Sequence, residues 1–347
     1  MKTLATAVVG LGRVGWQYHL PQIVEHTGFT LAAVVDPNPE RLEEARASYQ
    51  ATGYASVADL LAAERLDLLV IASPTHFHAD QAIAALEAGV DVFCDKPIAP
   101  SLAETDRMID AMRRSGRKLM VYQPHRLTPE AMAVRAILDS GKLGELFLLK
   151  RALTNYVRRN DWQAHRAYGG GMLSNFGAHM IDQLLFLTGG SISQLTCHLR
   201  RMATLGDADD VVKALFHLDN GILLDLEIDM ACSLPVPAWT IVGRHGAAMQ
   251  TSDGTGFTLK YYRPDELPPL ALQEGLSAAK RMYGTDEVLP WRTETIALAD
   301  FTPPSFYDKC YDYFALDLPP FVPITETREV MRVIEACRQS AGWADCE

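Results

Sequence analysis

Residues 6 to 36 constrain this chain more than any other stretch. Gly10-x-Gly12-x-x-Gly15 lies between a short apolar run, Thr6 to Val9, and a helical pattern. A second apolar run, Leu31 to Val35, then ends on Asp36, about twenty residues past the last glycine. Strand, tight turn, helix, strand and acid, in that order, make up a βαβ unit built to hold a dinucleotide. Gly10 permits the turn, Gly12 lets the backbone approach a pyrophosphate, and Gly15 lets helix and strand pack closely. Arg13 and Val14 complete the loop. Unpaired amides at the helix start, with the positive end of its dipole, hold phosphates.

Asp36 is placed to accept hydrogen bonds from the ribose hydroxyls of an adenosine. Pro37-Asn38-Pro39 follows it, with no adjacent Arg or Ser to receive a 2′-phosphate, and the carboxylate repels one. NAD is therefore favoured over NADP, and Arg41 is the nearby cation that keeps NADP open.

A chain of 347 residues has room for two domains, each with its own core. The net charge of −11 argues against duplex nucleic acid or an anionic membrane surface as partner. No apolar run is long enough to cross a bilayer. Met1-Lys2 before an apolar stretch faintly resembles a secretory signal, but the glycine motif occupies that stretch, which reads as a first strand. Six scattered cysteines without a C-x-x-C pair fit reduced thiols in a cytoplasmic protein.

The first third alternates strand and helix: helices near Glu40 to Tyr49, Val57 to Ala63, Phe77 to Glu87 and after Ser101, and strands at Leu68 to Ala72, Asp91 to Cys94 and Lys118 to Tyr122. Ser101 with Glu104 reads as a capping box. Such repeats predict an α/β domain, a doubly wound parallel Rossmann sheet with ligands at the carboxyl ends of its strands. From Pro129 the texture changes. A helix to about Ser140 precedes a β-like stretch, Glu145 to Tyr156. A helix near Met172 to Leu187 follows, then β-rich segments at Gln194 to Arg201, Val211 to His217, Ile222 to Asp229, Trp239 to Val242 and Phe257 to Tyr262. Asn220-Gly221 marks a hairpin. The expectation is an α+β domain with an open, mostly antiparallel sheet. Arg263 to Pro304 reads as a long loop or an oligomer arm, and Thr325 to Ala341 as an amphipathic helix. The division expected is 1–123, 124–325 and a closing helical segment, 326–347, packing back on the first domain.

Three further segments fall where such an architecture puts its site. Ser73-Pro74-Thr75-His76-Phe77-His78 follows a buried strand, as suits a loop lying along a dinucleotide, and the alternating histidines lack a nearby third metal ligand. Asp95-Lys96-Pro97 follows another strand. A lysine there can exchange a proton with a hydroxyl that loses or gains hydride, once burial and an oxidised nicotinamide lower its pKa. Asp95 orients it, the Lys96–Pro97 bond is a candidate for cis, and read alone the segment fits an exposed β–α loop equally well. The third segment, Gly169 to Gln183, puts Asn175, His179 and Asp182 on one polar stripe of an apolar helix. A histidine so flanked suits acid–base work, although a stripe satisfied inside a domain interface has the same pattern.

Together these motifs resemble the glucose–fructose oxidoreductase/inositol dehydrogenase family of NAD(P)-dependent oxidoreductases nearly end to end. That resemblance implies a Rossmann domain, a C-terminal sheet that is often a homodimer or homotetramer surface, and a crevice site acting on a ring hydroxyl or ketone. It also implies cofactor contacts from the glycine loop, Asp36, Ser73, Pro74, Thr75, His78, Asp95, Lys96 and Gln123. Lys96 matches the lysine that hydrogen-bonds the reacting oxygen, His179 the proton-transferring histidine, and Asp182 a substrate-binding acid. There are two departures. Asn175 stands where many members have aspartate, and Gln123-Pro124-His125-Arg126 replaces an Asn-Arg-Arg-like stretch while keeping Arg126, which with Asn175 is expected to touch substrate.

Tyr156 to Arg166 offers Trp162 to stack on a sugar ring and arginines to bind hydroxyls or a carboxylate, or else is a basic surface loop. The leading expectation is a dehydrogenase on a sugar, cyclitol or related polyol, with no metal. Alternatives are NAD-dependent glycoside cleavage through transient oxidation, and a non-catalytic nucleotide sensor.

Overall fold

The computed structural model describes residues 2–269 and 287–343. Its first sheet holds β1 (Leu4–Val9), β2 (Phe29–Val35), β3 (Thr52–Tyr54), β4 (Leu68–Ile71), β5 (Asp91–Cys94) and β6 (Leu119–Val121). The order is β3-β2-β1-β4-β5-β6 and every pairing is parallel. β4 is buried at all four positions because both sheet faces are covered, which is why it reads as an unbroken apolar run. Strand order reverses between β1 and β4, the switch point at whose carboxyl ends open parallel sheets hold their ligands.

Local chemistry sets the connecting helices: α1 (Leu20–Glu25), α2 (Pro39–Tyr49), α3 (Val57–Ala63), α4 (His78–Glu87) and α5 (Leu102–Ser115). Asn38 caps α2 by accepting the Glu40 N–H at 2.9 Å, with Pro39 in the first turn. Ser101 caps α5 through the Glu104 N–H at 3.2 Å, whereas the Glu104 carboxylate turns to Arg107 at 2.6 Å. The expected capping box is therefore half formed.

The second sheet runs β14-β13-β12-β11-β7-β10-β9-β8. Its strands are β7 (Leu146–Thr154), β8 (Ile192–Arg200), β9 (Val211–Leu218), β10 (Leu223–Asp229), β11 (Trp239–Gly243), β12 (Gly246–Gln250), β13 (Gly256–Tyr261) and β14 (Arg292–Ala297). All neighbours are antiparallel except β7 with β10. β9 and β10 alternate buried and partly open positions, the pattern of a sheet with one covered face, and Gly221 closes their hairpin with φ +86°. α6 (Pro129–Asp139) and α7 (Ala178–Thr188) lie on the covered side.

The sequence reading leaves out three strands and a helix. β3 is only three residues long, with Gly53 at its centre. β12, Gly-Ala-Ala-Met-Gln, contains no β-branched residue. β14 is a polar edge strand at the end of the stretch read as a loop or arm, of which residues 270–286 lie outside the described residues. α8 (Phe306–Leu316) falls within the 124–325 span yet packs in the first domain: Phe306, Tyr307, Cys310, Tyr311 and Phe314 join Leu4, Val8, Phe29 and Phe93 in one core. Finally α9 (Ile324–Ser340) buries Val330, Val333, Ile334 and Cys337 against α5, α7 and β8, so it bridges both halves. Among the described residues no helix is long and apolar enough to cross a membrane.

Candidate active site

The three glycines at the β1 turn meet different constraints. A Cβ on Gly10, whose φ is +89°, would lie 2.6 Å from Ser73 N, and one on Gly15 would lie 1.9 Å from Gly10 O. A Cβ on Gly12 would meet nothing within 4 Å. Gly10 and Gly15 are thus fixed by the fold, while Gly12 faces an open cradle. Asp36, 3% exposed, accepts the Leu11 N–H at 2.8 Å and the Asn38 N–H at 2.9 Å, with Arg41 Nη1 at 3.3 Å. The acid therefore braces the glycine loop as well as marking its far end. A π-helical turn, Gly15–His19, leads into α1; another, Leu173–Gly177, leads into α7, and such turns collect at functional sites.

After β4, the Ser73 hydroxyl donates to Gln81 Oε1 at 2.6 Å and Thr75 is buried. His78 is 1% exposed, with Nδ1 3.0 Å from Pro97 O and Nε2 2.8 Å from Ser73 O. Both ring nitrogens thus clamp the β4 and β5 loops together, where His78 was expected to contact the cofactor. A neutral ring can donate to only one of those carbonyls, and burial holds its pKa below the ordinary histidine value.

After β5, the Lys96–Pro97 bond is cis, and Asp95 Oδ1 accepts the Lys96 N–H at 2.8 Å. Lys96 Nζ donates to Asn175 Oδ1 at 2.8 Å and to Asn175 O at 3.0 Å. Desolvation lowers its pKa to about 8; the Asp95 charge opposes this, while Arg13 and Arg159 reinforce it.

The polar stripe meets a different partner at each step, the first two of them in the first domain. Asn175 takes Lys96, His179 Nδ1 lies 3.1 Å from Gln123 Oε1, and Asp182 pairs with Arg126. The Gln123 carbonyl fixes the proton of His179 on Nδ1 and leaves Nε2 as an acceptor. His125 stacks on His179 with centroids 4.0 Å apart. Burial first, then the charge of Lys96, pushes the His179 pKa well below its ordinary value. Lys96 Nζ binds Asn175, about one turn before His179 on the same helical stretch, so the two groups lie close together.

Arg126 and Asp182 are occupied with each other. Nε donates to Oδ2 at 2.8 Å and Nη2 to Oδ1 at 2.6 Å, with Glu326 2.8 Å from Nη2. The pair, expected to touch substrate, is 3% and 1% exposed and engaged in this ion pair. Trp162 is 37% exposed and does not line the cavity described next.

That cavity, of about 120 Å³, is bounded by Asn155, Arg159, Gln163, Asn175, Thr204 and Asp209, with Leu153, Phe176 and Met230 as apolar wall. Asn175 Nδ2 donates to Gln163 Oε1 at 3.1 Å, and Arg159 Nη1 donates to the same oxygen, so a hydrogen-bonded chain links Lys96 to Arg159. Asp209 accepts the Leu173 N–H at 2.8 Å, and burial lifts its pKa to about 6. Gly171 has φ +102°, and a Cβ there would lie 2.2 Å from Asp209 Oδ1. The sequence reading missed Gln163, Thr204 and Asp209; the closely spaced Gly169 to Gly171 was the one local sign that something passes near that backbone.

Residues 4–123 match the profile described as an oxidoreductase family with an NAD-binding Rossmann fold, and residues 131–249 match the GFO/IDH/MocA C-terminal domain. The chain belongs to the GFO/IDH/MocA oxidoreductase family. It is an NAD(P)-dependent dehydrogenase by family. Inositol 2-dehydrogenase of Corynebacterium glutamicum (strain R) is 25% identical over 234 residues, covering 66% of this chain and 68% of that protein. D-glucoside 3-dehydrogenase of Escherichia coli (strain K12) is 30% identical over 193 residues, 54% of each. An NAD-binding protein from Listeria innocua superposes with TM-score 0.84 at 26% identity, covering 98% of this chain and 95% of the other.

The residues present fit a dinucleotide: Gly12 leaves the cradle open where a pyrophosphate needs backbone approach, and Asp36 stands where a ribose needs an acceptor.

Proposed function

We propose that this chain interconverts a secondary hydroxyl and a ketone on a sugar, cyclitol or related polyol, with NAD as redox partner. The observation that carries the reading is the joint placement of Lys96 and His179, each desolvated at the meeting of the two sheets and each held by an amide, Asn175 for Lys96 and Gln123 for His179. Bound nicotinamide supplies the acceptor or donor of hydride. Lys96, with a pKa of about 8, holds or releases the hydroxyl proton near working pH, where acid–base catalysis is most effective. His179 stays neutral and accepts a hydrogen bond at Nε2, orienting the substrate hydroxyl toward Nζ. Asp36 selects NAD because its carboxylate repels a 2′-phosphate.

The crevice lies between residues 1–123, joined by α8, and the unit built on the second sheet, with α9 fastened to both. The uncovered face of that sheet, where Leu215 and Met249 are 37% and 45% exposed, is the surface we assign to a homodimer or homotetramer, checked by light scattering of the purified protein. The function is tested by adding sugars and cyclitols to protein with NAD and following the absorbance of reduced cofactor. Accumulation of NADH with at least one polyol is expected. Release of a sugar from glycosides without net NADH, or no turnover of any polyol in either direction, would refute it.

A further inference from the structure

The cavity beside Lys96 presents the guanidinium of Arg159 in a chain whose net charge is −11. Arg159 reaches it with part of its guanidinium uncommitted. Nη1 serves Asp161 at 3.0 Å and Gln163, while Nε and Nη2 make no hydrogen bond among the described residues. Asp161 offsets this charge only weakly, being 53% exposed. The carboxylate of Asp209, which also lines the cavity, accepts the Leu173 N–H and is balanced by the charge of Arg338 instead of Arg159. The third group near Lys96 is an amide, Asn175, which adds no negative charge. A site arranged for neutral hydroxyls alone has no need of a partly buried cation with a free donor edge.

We propose that the substrate is a polyol bearing a carboxylate, a uronate or aldonate, received by the free edge of Arg159 while its reacting hydroxyl meets Lys96. The proposal rests on the dehydrogenase reading above and narrows its substrate class. Nε and Nη2 form the side of a guanidinium that matches the two oxygens of a carboxylate. One such edge balances one carboxylate charge, whereas a phosphate dianion would retain uncompensated charge in the cavity. Asn155, Thr204 and Asp209 then remain for ring or chain hydroxyls.

The test compares matched sets, each a neutral sugar, its uronate or aldonate, and its phosphate ester. Two readouts are taken on the NAD-bound protein: initial rate of NADH formation, and thermal shift on ligand addition. Among turned-over compounds, the acid should exceed its neutral partner in kcat/KM by about tenfold or more, the scale of a charge-assisted bond, and added salt should shrink the gap. In Arg159→Gln the acid-to-neutral ratio should collapse toward one, chiefly through KM, at unchanged NAD affinity. Arg159→Lys keeps the charge without the fork and should restore part of the preference. Equal or greater preference for the neutral sugar or the phosphate ester overturns the proposal, as does a ratio that survives Arg159→Gln. If acids shift the melting of the native protein but not of Arg159→Gln while nothing is oxidised, the carboxylate site stands and the dehydrogenase reading falls. If polyols are oxidised but no acid is preferred or bound, the carboxylate site falls alone.

Discussion

Lys96 should make the protein less stable at neutral pH than at alkaline pH, and Lys96→Met should remove that dependence. The folded-state pKa is about 8 against an ordinary 10.5, so between those values the unfolded chain binds the extra proton. Stability therefore rises with pH across this window, and the ammonium is a burden below it. The two and a half units correspond to about 3 kcal/mol, an upper bound because the side chain keeps some contact with water in the crevice. Methionine fills similar volume without the charge but leaves Asn175 O and Oδ1 without their donor, a loss of about 1–3 kcal/mol. At pH 7 the variant should equal or exceed the native protein; above the window it should be weaker. Urea unfolding of both proteins without cofactor, at several pH values from neutral to alkaline, measures the difference, and titrations elsewhere cancel in it. A gap that stays constant across the window would refute the desolvated ammonium, and with it the argument that Lys96 titrates near working pH. Activity should fall by about 10²- to 10⁴-fold in the same variant.

Three other outcomes follow from the geometry. Gly12→Ala should fold with near-native stability and lose NAD affinity, because its Cβ meets no protein atom within 4 Å; Gly15→Ala should lose stability instead, since its Cβ falls 1.9 Å from Gly10 O. Thermal melting and NAD titration of the two variants separate these effects. Arg126→Met should destabilise by about 3–5 kcal/mol by leaving Asp182 charged and buried, and Asp182→Asn in that background should recover part of the loss, measured by denaturant unfolding. The oxidation rate should rise with pH about a midpoint near 8 as Lys96 becomes neutral; His179→Asn should lower the rate by about 10²-fold or more yet keep that midpoint, whereas a midpoint lost with His179 would transfer the titration to the imidazole.

What the sequence made legible was whatever depends on neighbours in the chain. The glycine turn, the acid after β2, the lysine after β5 and the stripe of Asn175, His179 and Asp182 each follow from periodicity within one βα unit or one helix. What it hid depends on where distant segments land. Nothing near Asp182 announces that Arg126, fifty-six positions away, will occupy both its oxygens. His78 looked like a ligand contact because it follows a strand, and only the packing of the β5 loop shows both its nitrogens engaged. The cavity draws Arg159 and Gln163 from one irregular stretch and Thr204 and Asp209 from another, neither with a period to read. α8 shows a helical spacing of buried aromatics, but its place on the first sheet is a long-range fact.

The amide at Asn175 connects the stability argument to the chemistry. Its Oδ1 lies 2.8 Å from Lys96 Nζ, close enough for the charge of a carboxylate there to act directly on the ammonium. An opposite charge at such range raises an amine pKa by about 1–3 units, so Asn175→Asp should move Lys96 from about 8 back toward 10.5. Three consequences share that cause. The pH midpoint of oxidation should rise by at least about one unit, and the rate at neutral pH should fall by about tenfold as the neutral amine becomes scarcer. The protein should become more stable at neutral pH, because the buried ammonium gains a counter-charge. The new carboxylate should also face Gln163 Oε1 in place of a donating amide, which breaks the chain to Arg159 and weakens acidic substrates more than neutral ones. Rate profiles and unfolding of this one variant test all three together. A slower enzyme with an unmoved midpoint would show that the amide shapes the pocket without setting the basicity of Lys96.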